Sequence, residues 1–320
     1  MLNDSAPHPL PFTRRHRLRF LGWVCFSPPA RWRVLVLLLA LPLCASGQAT
    51  PLEHAHAHND YVHARPLFGA LELGFNSVEA DVYLVGGQLL VAHSRDSVDA
   101  ARTLETLYLA PLRTYVQQHG GRAYAGSQPL TLLIDVKSNA ESTYVVLDSL
   151  LRRYADLFTI SAGSLVIEGP VVAVISGERA IGAMRNARVR FAGLDGRLPD
   201  LRGAVPPSRM LMPLISDSWD QITKWKGDGP MSESERRELA RVVRVAHRQG
   251  RRVRFWATPD NEAVWQVLVD AHVDLIGADD LERLRSFLLS HHTSSSSFDR
   301  TKSRCDRFPG MSTTHAACLA

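Results

Sequence analysis

Residues 54–93 read HAHAHNDYVHARPLFGALELGFNSVEADVYLVGGQLLVAH, and five of the forty are histidines. His54, His56 and His58 alternate with alanine, so on a β-strand all three would point the same way. A helix-like run follows from Pro66 to Leu73 and is closed by Gly74. SVEADVYLV then alternates as a strand does, with Glu79 and Asp81 on one face and Val78, Ala80 and Val82 on the other. A Gly86-Gly87 turn leads to QLLVAH, which ends on His93. Two acids two residues apart on an apolar strand are costly to bury unless a cation or a partner meets them. The pattern points to a divalent-metal site; the plainer alternative is a surface strand showing two acids to solvent.

Working outward, strand-like and helix-like segments alternate. PLTLLIDVKS (129–138) is a buried strand carrying Asp135 and Lys137 near its end, and Thr103 to His119 a helix interrupted by Pro111. Ala140 to Phe158 has amphipathic helical spacing, and Ser232 opens a helix with Glu235 three residues on, the pattern of a capping box. Strand candidates fall around 54–58, 77–83, 131–136, 171–176, 189–194, 210–215, 252–257 and 273–278. Such alternation predicts a mostly parallel sheet, and eight strands favour a closed (β/α)8 TIM barrel. A doubly wound sheet would carry a glycine-rich phosphate loop after its first strand, where this chain has histidines.

The basicity of the chain, +5 formally, is confined to its beginning. Residues 1–49 hold six arginines and one acid, and the remainder has 31 basic and 31 acidic side chains. Nothing in that balance suggests nucleic-acid binding. Arginines ahead of the apolar run Val34 to Leu43, followed by the small residues of CASGQA, describe an export signal, with an uncleaved membrane anchor as the alternative. Leu-Pro-Leu before Cys44 lacks the small residue of a lipoprotein site. Three regions follow: a leader over 1–49, a barrel over 50–290, and a serine-rich, aperiodic tail over 291–320 expected to be disordered. The four cysteines lie in the leader and the tail, so the body is not a disulfide scaffold.

Barrel active sites lie at the C-terminal ends of the strands. There the sequence places His56 and His58, Glu79 and Asp81, Asp135 and Lys137, Trp256, and finally Asp279 and Asp280, which could equally cap the last helix. Converging carboxylates make a hard oxygen site suited to Mg²⁺ or Ca²⁺, histidines can move protons, and a lysine beside the ion suits a phosphoryl oxygen. Together they describe phosphodiester cleavage.

HNDYxxxRPLxxAL, GFNSVEADVYL, LLVAH and LLIDVKS resemble the glycerophosphodiester phosphodiesterase and phosphatidylinositol phospholipase C-like superfamily, in particular the branch that includes Altered inheritance of mitochondria protein 6. The E-x-D pair and the following V-x-H are also similar to spider-venom sphingomyelinase D enzymes. The resemblance covers roughly 52–290, and RVRFWATPD and DLIGADDL look like the last two strands. It implies that His58 and His93 are the catalytic histidines and that Glu79, Asp81 and Asp135 bind a divalent metal. It also implies that Lys137 contacts phosphate and that Trp256 walls the pocket. From the residues themselves Asn59 and His56 are candidate substrate contacts, with a metal contact or a support behind the site as the alternatives for His56. The chain departs from the superfamily at His58-Asn59-Asp60, where His-Arg-Gly is common, and at Ser94, where an aspartate often follows the second histidine. These departures bear on the substrate contacts and on the orientation of His93. The implied partner is a small or lipid-derived phosphodiester, compatible with contact at a membrane surface, acted on by a monomer. Two rivals remain. One is a non-catalytic barrel binding a phospholipid headgroup or sugar phosphate. The other is an amidohydrolase-type metalloenzyme, which would need further histidines where Asp195 and Ser216 stand.

Overall fold

The structure, a computed structural model, describes residues 49–203 and 206–291. The leader and the tail, apart from their boundary residues, lie outside the described residues. So do Cys25, Cys44, Cys305 and Cys318.

Among the described residues twelve strands occur in the order β1 (Leu52–Ala57), β2 (Phe75–Val85), β3 (Gln88–Val91), β4 (Leu130–Val136), β5 (Ile160–Ala162), β6 (Leu165–Ile167), β7 (Val171–Gly177), β8 (Val189–Arg190), β9 (Ala192–Gly196), β10 (Leu214–Ser218), β11 (Arg252–Trp256) and β12 (Ile276–Ala278). The main sheet runs β11-β10-β9-β7-β4-β2-β1-β12, and every pairing along that path is parallel. A parallel bridge between Arg254 and Leu275 joins β11 to the entry of β12 and completes the ring. The result is the TIM barrel that the strand–helix alternation predicts. β3 stands outside the ring as the antiparallel partner of β2, and this hairpin carries the chain back to the barrel mouth at His93.

Three expected boundaries move. The segment 189–194 is not one strand: Val189–Arg190 pairs antiparallel with β5 in a small separate sheet, and the chain joins the barrel at Ala192. Alternation cannot say which sheet a strand joins. The sixth barrel strand starts at Leu214 instead of 210, because Leu211 and Met212 both turn back onto the Ser208 carbonyl and Pro213 has no N–H to give a ladder. The helix expected over 140–158 stops at Arg153, and Phe158 already bridges to Val171.

Helical elements pack outside the ring. α1 is Phe68–Glu72, and α2 is Ala110–Gln118, preceded by a wide turn over Glu105–Leu109. In that turn the Ala110 N–H reaches the Glu105 carbonyl, five residues back, which makes room for the Pro111 ring. α3 (Ala140–Arg153), α4 (Ile181–Asn186), α5 (Glu233–Arg248) and α6 (Glu262–Asp270) follow, and a last helix spans 281–291. Ser232 and Glu235 form the expected capping box on α5, which ends at Gly250 with φ +68°, in the left-handed region that glycine adopts freely. No helix among the described residues is long and apolar enough to cross a membrane.

Outward-facing residues such as Val78, Ala80 and Val82 join the core between sheet and helices. Inward-facing Leu133, Val174, Leu214 and Leu275 form a separate apolar plug inside the ring. Above that plug the interior turns polar, with Glu79, Asp81, Asp195, Ser176, Ser216 and Arg254 all buried. The fold therefore divides the barrel into a dry floor and a charged mouth.

The loop after β1 is pinned by Asp60. Its buried Oδ2 accepts from the Leu67 N–H at 2.6 Å and from the Tyr108 hydroxyl at 2.8 Å. Leu67 sits at φ +65°, a costly conformation for a branched residue, so the Asp60 contact holds a strained entry into α1. Asp60→Ala would strand two buried donors, and we expect a loss of about 2–4 kcal/mol, read as a lower urea midpoint.

Candidate active site

Strand parity assembles the site. On β2, Glu79 and Asp81 face the barrel axis, and on β4 Asp135 lies in register beside Asp81. Glu79, Asp81 and Asp135 each bring a carboxylate oxygen to within 4.8 Å of the others. A cavity of about 540 Å³ at the C-terminal mouth is lined by these acids together with His58, Asn59, His93, Lys137, Arg254 and Trp256. One open cavity thus collects eight of the nine residues singled out from the sequence.

The ninth, His56, does not reach it. His56 is fully buried, with Nδ1 2.7 Å from Ser77 Oγ and Nε2 2.9 Å from Glu79 Oε2. Burial and the Arg254 charge push its pKa down to about 4, so it is a neutral ring donating Nε2–H to Glu79 and accepting from Ser77. The expectation that His56 touches substrate is corrected: both ring nitrogens are committed, and the residue buttresses Glu79 from behind.

Arg254 is the residue the sequence reading missed. It is buried on β11, and its Nη2 donates to Glu79 Oε2 at 2.6 Å. Burial opposes the charge on Glu79, yet Arg254 and then His56 outweigh it and hold the carboxyl well below the usual range. The signal was available: Arg254 lies two residues before Trp256, so the same strand face carries both.

Asp81 behaves differently. Burial first, then the neighbouring Glu79 and Asp135 charges, push it up to about 6 against the opposing pull of Lys137. Lys137 Nζ lies 3.2 Å from Asp81 Oδ2 and 2.8 Å from Asp135 Oδ2. Burial opposes its charge, but the two carboxylates prevail and hold its pKa above the ordinary lysine value. Asp81 Oδ1 and Asp135 Oδ1 are buried without a hydrogen-bond partner. Beside Asp135, Gly177 has φ +66°, and a Cβ there would lie 2.0 Å from that Oδ1. Two carboxylate oxygens without partners, on acids that cluster with a third within 4.8 Å, fit a divalent cation.

The histidines flank this cluster. His58 Nδ1 is 2.8 Å from Asp279 Oδ1, so Asp279 orients His58, while Asp280 caps the last helix through the Arg283 N–H. His93 Nδ1 is 3.2 Å from the Tyr61 hydroxyl, which also lies 2.8 Å from Asp81 Oδ2. Tyr61 therefore stands where an aspartate after the second histidine would act, and Ser94 instead begins the 3₁₀ turn Arg95–Ser97. Trp256 forms a wall with Arg197 stacked on it at 4.7 Å. Arg197 Nη1 in turn lies 3.0 Å from Asp195 Oδ2. Asp195 is buried beneath the site, where it accepts from Ser176 and Ser216. Those side chains satisfy one another, which leaves the fifth and sixth strands without the ligands an amidohydrolase site requires.

Two outcomes follow. Arg254→Met would leave the Glu79 charge buried without its main counter-ion and should cost about 3–5 kcal/mol in chemical denaturation. For Asp81, the folded state binds more protons than the unfolded state between the ordinary carboxyl value and about 6. With chelator present, stability should therefore fall as pH rises through that window, by up to about 3 kcal/mol, and Asp81→Asn should flatten the profile.

The profile of the AIM6-like phosphodiesterase domain matches residues 45–192, which carry every residue of the acidic cluster and both histidines. The Altered inheritance of mitochondria protein 6 homolog of Arthroderma benhamiae is 26% identical over 262 residues, covering 72% of this chain and 82% of the relative. Altered inheritance of mitochondria protein 6 of Eremothecium gossypii is 31% identical over 278 residues, covering 74% of this chain and 69% of the relative. Among solved structures, a glycerophosphodiester phosphodiesterase from Parabacteroides distasonis is similar at a TM-score of 0.46 and 14% identity, over 77% of this chain and 99% of that one. With that identity to the Eremothecium protein over more than two thirds of its length, this chain belongs to the Altered inheritance of mitochondria protein 6 family and carries an AIM6-like phosphodiesterase domain.

Proposed function

We propose that this protein is a metal-dependent phosphoric diester hydrolase acting on glycerophosphodiesters or phospholipid headgroups. The observation that carries the reading is the cluster of Glu79, Asp81 and Asp135, with their oxygens within 4.8 Å, set in one cavity with His58, His93 and Lys137. Glu79, Asp81 and Asp135 would hold the ion, an oxygen set of the kind that takes Mg²⁺ or Ca²⁺. Bound there, it would neutralise charge on a phosphoryl oxygen.

The remaining steps belong to the chain's own groups. One histidine accepts the proton of the attacking hydroxyl, and the other protonates the leaving oxygen. Asp279, 2.8 Å from His58 Nδ1, fixes its ring. Lys137 brings a positive charge to the phosphate. Trp256 and Asn59 shape the walls against which the alcohol portions lie. Export through the leader over 1–49, and action as a monomer on small or lipid-derived substrates, complete the proposal; six arginines ahead of or within reach of an apolar run support the export part.

The test is hydrolysis of bis-p-nitrophenyl phosphate and of glycerophosphodiesters, with Mg²⁺ and with Ca²⁺ separately. Chelator should abolish turnover, and His58→Ala and His93→Ala should each lower kcat by about 10²-fold or more. Wild-type rates in both variants would overturn the two-histidine mechanism, and rates indifferent to chelator would overturn metal dependence.

A further inference from the structure

The Tyr61 hydroxyl stands among three groups at once. Asp81 Oδ2 lies 2.8 Å away, Asn59 Oδ1 2.8 Å and His93 Nδ1 3.2 Å. On its other side Asn59 Nδ2 lies 3.3 Å from His58 Nδ1. The two histidines at opposite edges of the acidic cluster are thereby joined by two intervening side chains, Asn59 and Tyr61. Tyr61 is itself held in place: its ring is buried, and its carbonyl accepts from Arg102 at 2.6 Å. Asn59 takes the left-handed conformation, φ +49°, which asparagine tolerates better than most residues.

A phenol has one proton and cannot donate to every neighbour. At neutral pH a phenol keeps that proton. The carboxylate is the strongest acceptor in reach, because charge-assisted bonds are about twice as strong as neutral ones. With the proton given to Asp81, the phenolic oxygen can only accept from its remaining neighbours. His93 must then carry hydrogen on Nδ1, and the Asn59 amide must make a half-turn that exchanges its oxygen and nitrogen and brings its NH₂ to Tyr61. The Asn59 carbonyl oxygen then faces His58 Nδ1, which also points at Asp279 Oδ1. Both contacts call for hydrogen on His58 Nδ1.

We propose that Asn59 and Tyr61 form a hydrogen-bonded bridge that keeps hydrogen on Nδ1 of both His58 and His93, so that in each ring Nε2 is the nitrogen that gains and gives up a proton. Tyr61 is a positioning residue: it acts through His93 and Asp81. Its role in turnover rests on the hydrolase reading, whereas the tautomers do not. The bridge explains how His93, exposed and followed by Ser94, is oriented without an adjacent aspartate.

The test is a two-bond ¹H–¹⁵N spectrum of the histidine rings at about pH 8, where free imidazoles are neutral, without metal or substrate. His58 and His93 should both show the Nδ1–H pattern, against the Nε2–H form that free imidazole side chains favour. In Tyr61→Phe, which keeps the buried ring, His93 should shift toward Nε2–H while His58, still on Asp279, keeps its pattern. In turnover, Tyr61→Phe should lower kcat about tenfold or more with KM changed less than threefold. A wild-type His93 protonated on Nε2 would overturn the proposal. So would a Tyr61→Phe spectrum unchanged at His93, whereas a tautomer shift with kcat intact would support the bridge and overturn its positioning role in turnover. An inactive wild-type protein with the expected tautomers would overturn the hydrolase reading alone.

Discussion

A carboxylate inside a barrel must be neutralised, and the whole mouth of this one is arranged around the neutralisation of Glu79. Arg254 reaches it from the seventh barrel strand, while His56 reaches it from the first at 2.9 Å. One oxygen of Glu79 is thereby saturated and the side chain locked. An ionised acid so held has a fixed direction and a fixed charge, which loose surface acids lack. The plug of Leu133, Val174, Leu214 and Leu275 beneath keeps solvent from entering from below.

The other two acids are left less satisfied. Asp81 and Asp135 share Lys137 and each keeps a buried oxygen without a partner. Three carboxylates this close repel one another, which is why Asp81 is pushed up to about 6. Of the nearby buried acids, Asp195 accepts from two serines, and Asp60 accepts twice at Oδ2 while its Oδ1, in the loop after β1, has no partner. What sets the barrel mouth apart is that two such unpartnered oxygens belong to acids clustered with a third, a place where positive charge would be stabilised.

The halves of the barrel contribute unequally. Strands β1, β2 and β4, with the loops after them, supply the histidines, the acids and Lys137. β9, β11 and the end of β12 supply what holds them: Asp195 and Arg197, Arg254 and Trp256, and Asp279. The matched family profile ends at 192, where the supporting half begins. Support can be given by several arrangements of counter-charge and hydrogen bonds, whereas a cluster of three carboxylates needs particular atoms in particular places.

The sequence by itself determined the barrel and the polar side chains that gather at its mouth. Period-two alternation in SVEADVYLV fixed which face Glu79 and Asp81 share, and the same logic placed Asp135 and Lys137, because side-chain direction along a strand is a local property of the backbone. Partners across the barrel were decided only by the tertiary structure. Arg254 meets Glu79 across 175 residues and Asp279 meets His58 across 221, and no local pattern encodes which inward side chains face each other. His56 shows the same limit in reverse: alternation aligned it with His58, but only the closed ring revealed that its depth puts it behind Glu79. Tyr61 lies on a 3₁₀ turn, Asp60–Val62, where no simple period predicts direction, so its place between Asp81 and His93 could come only from the folded loop.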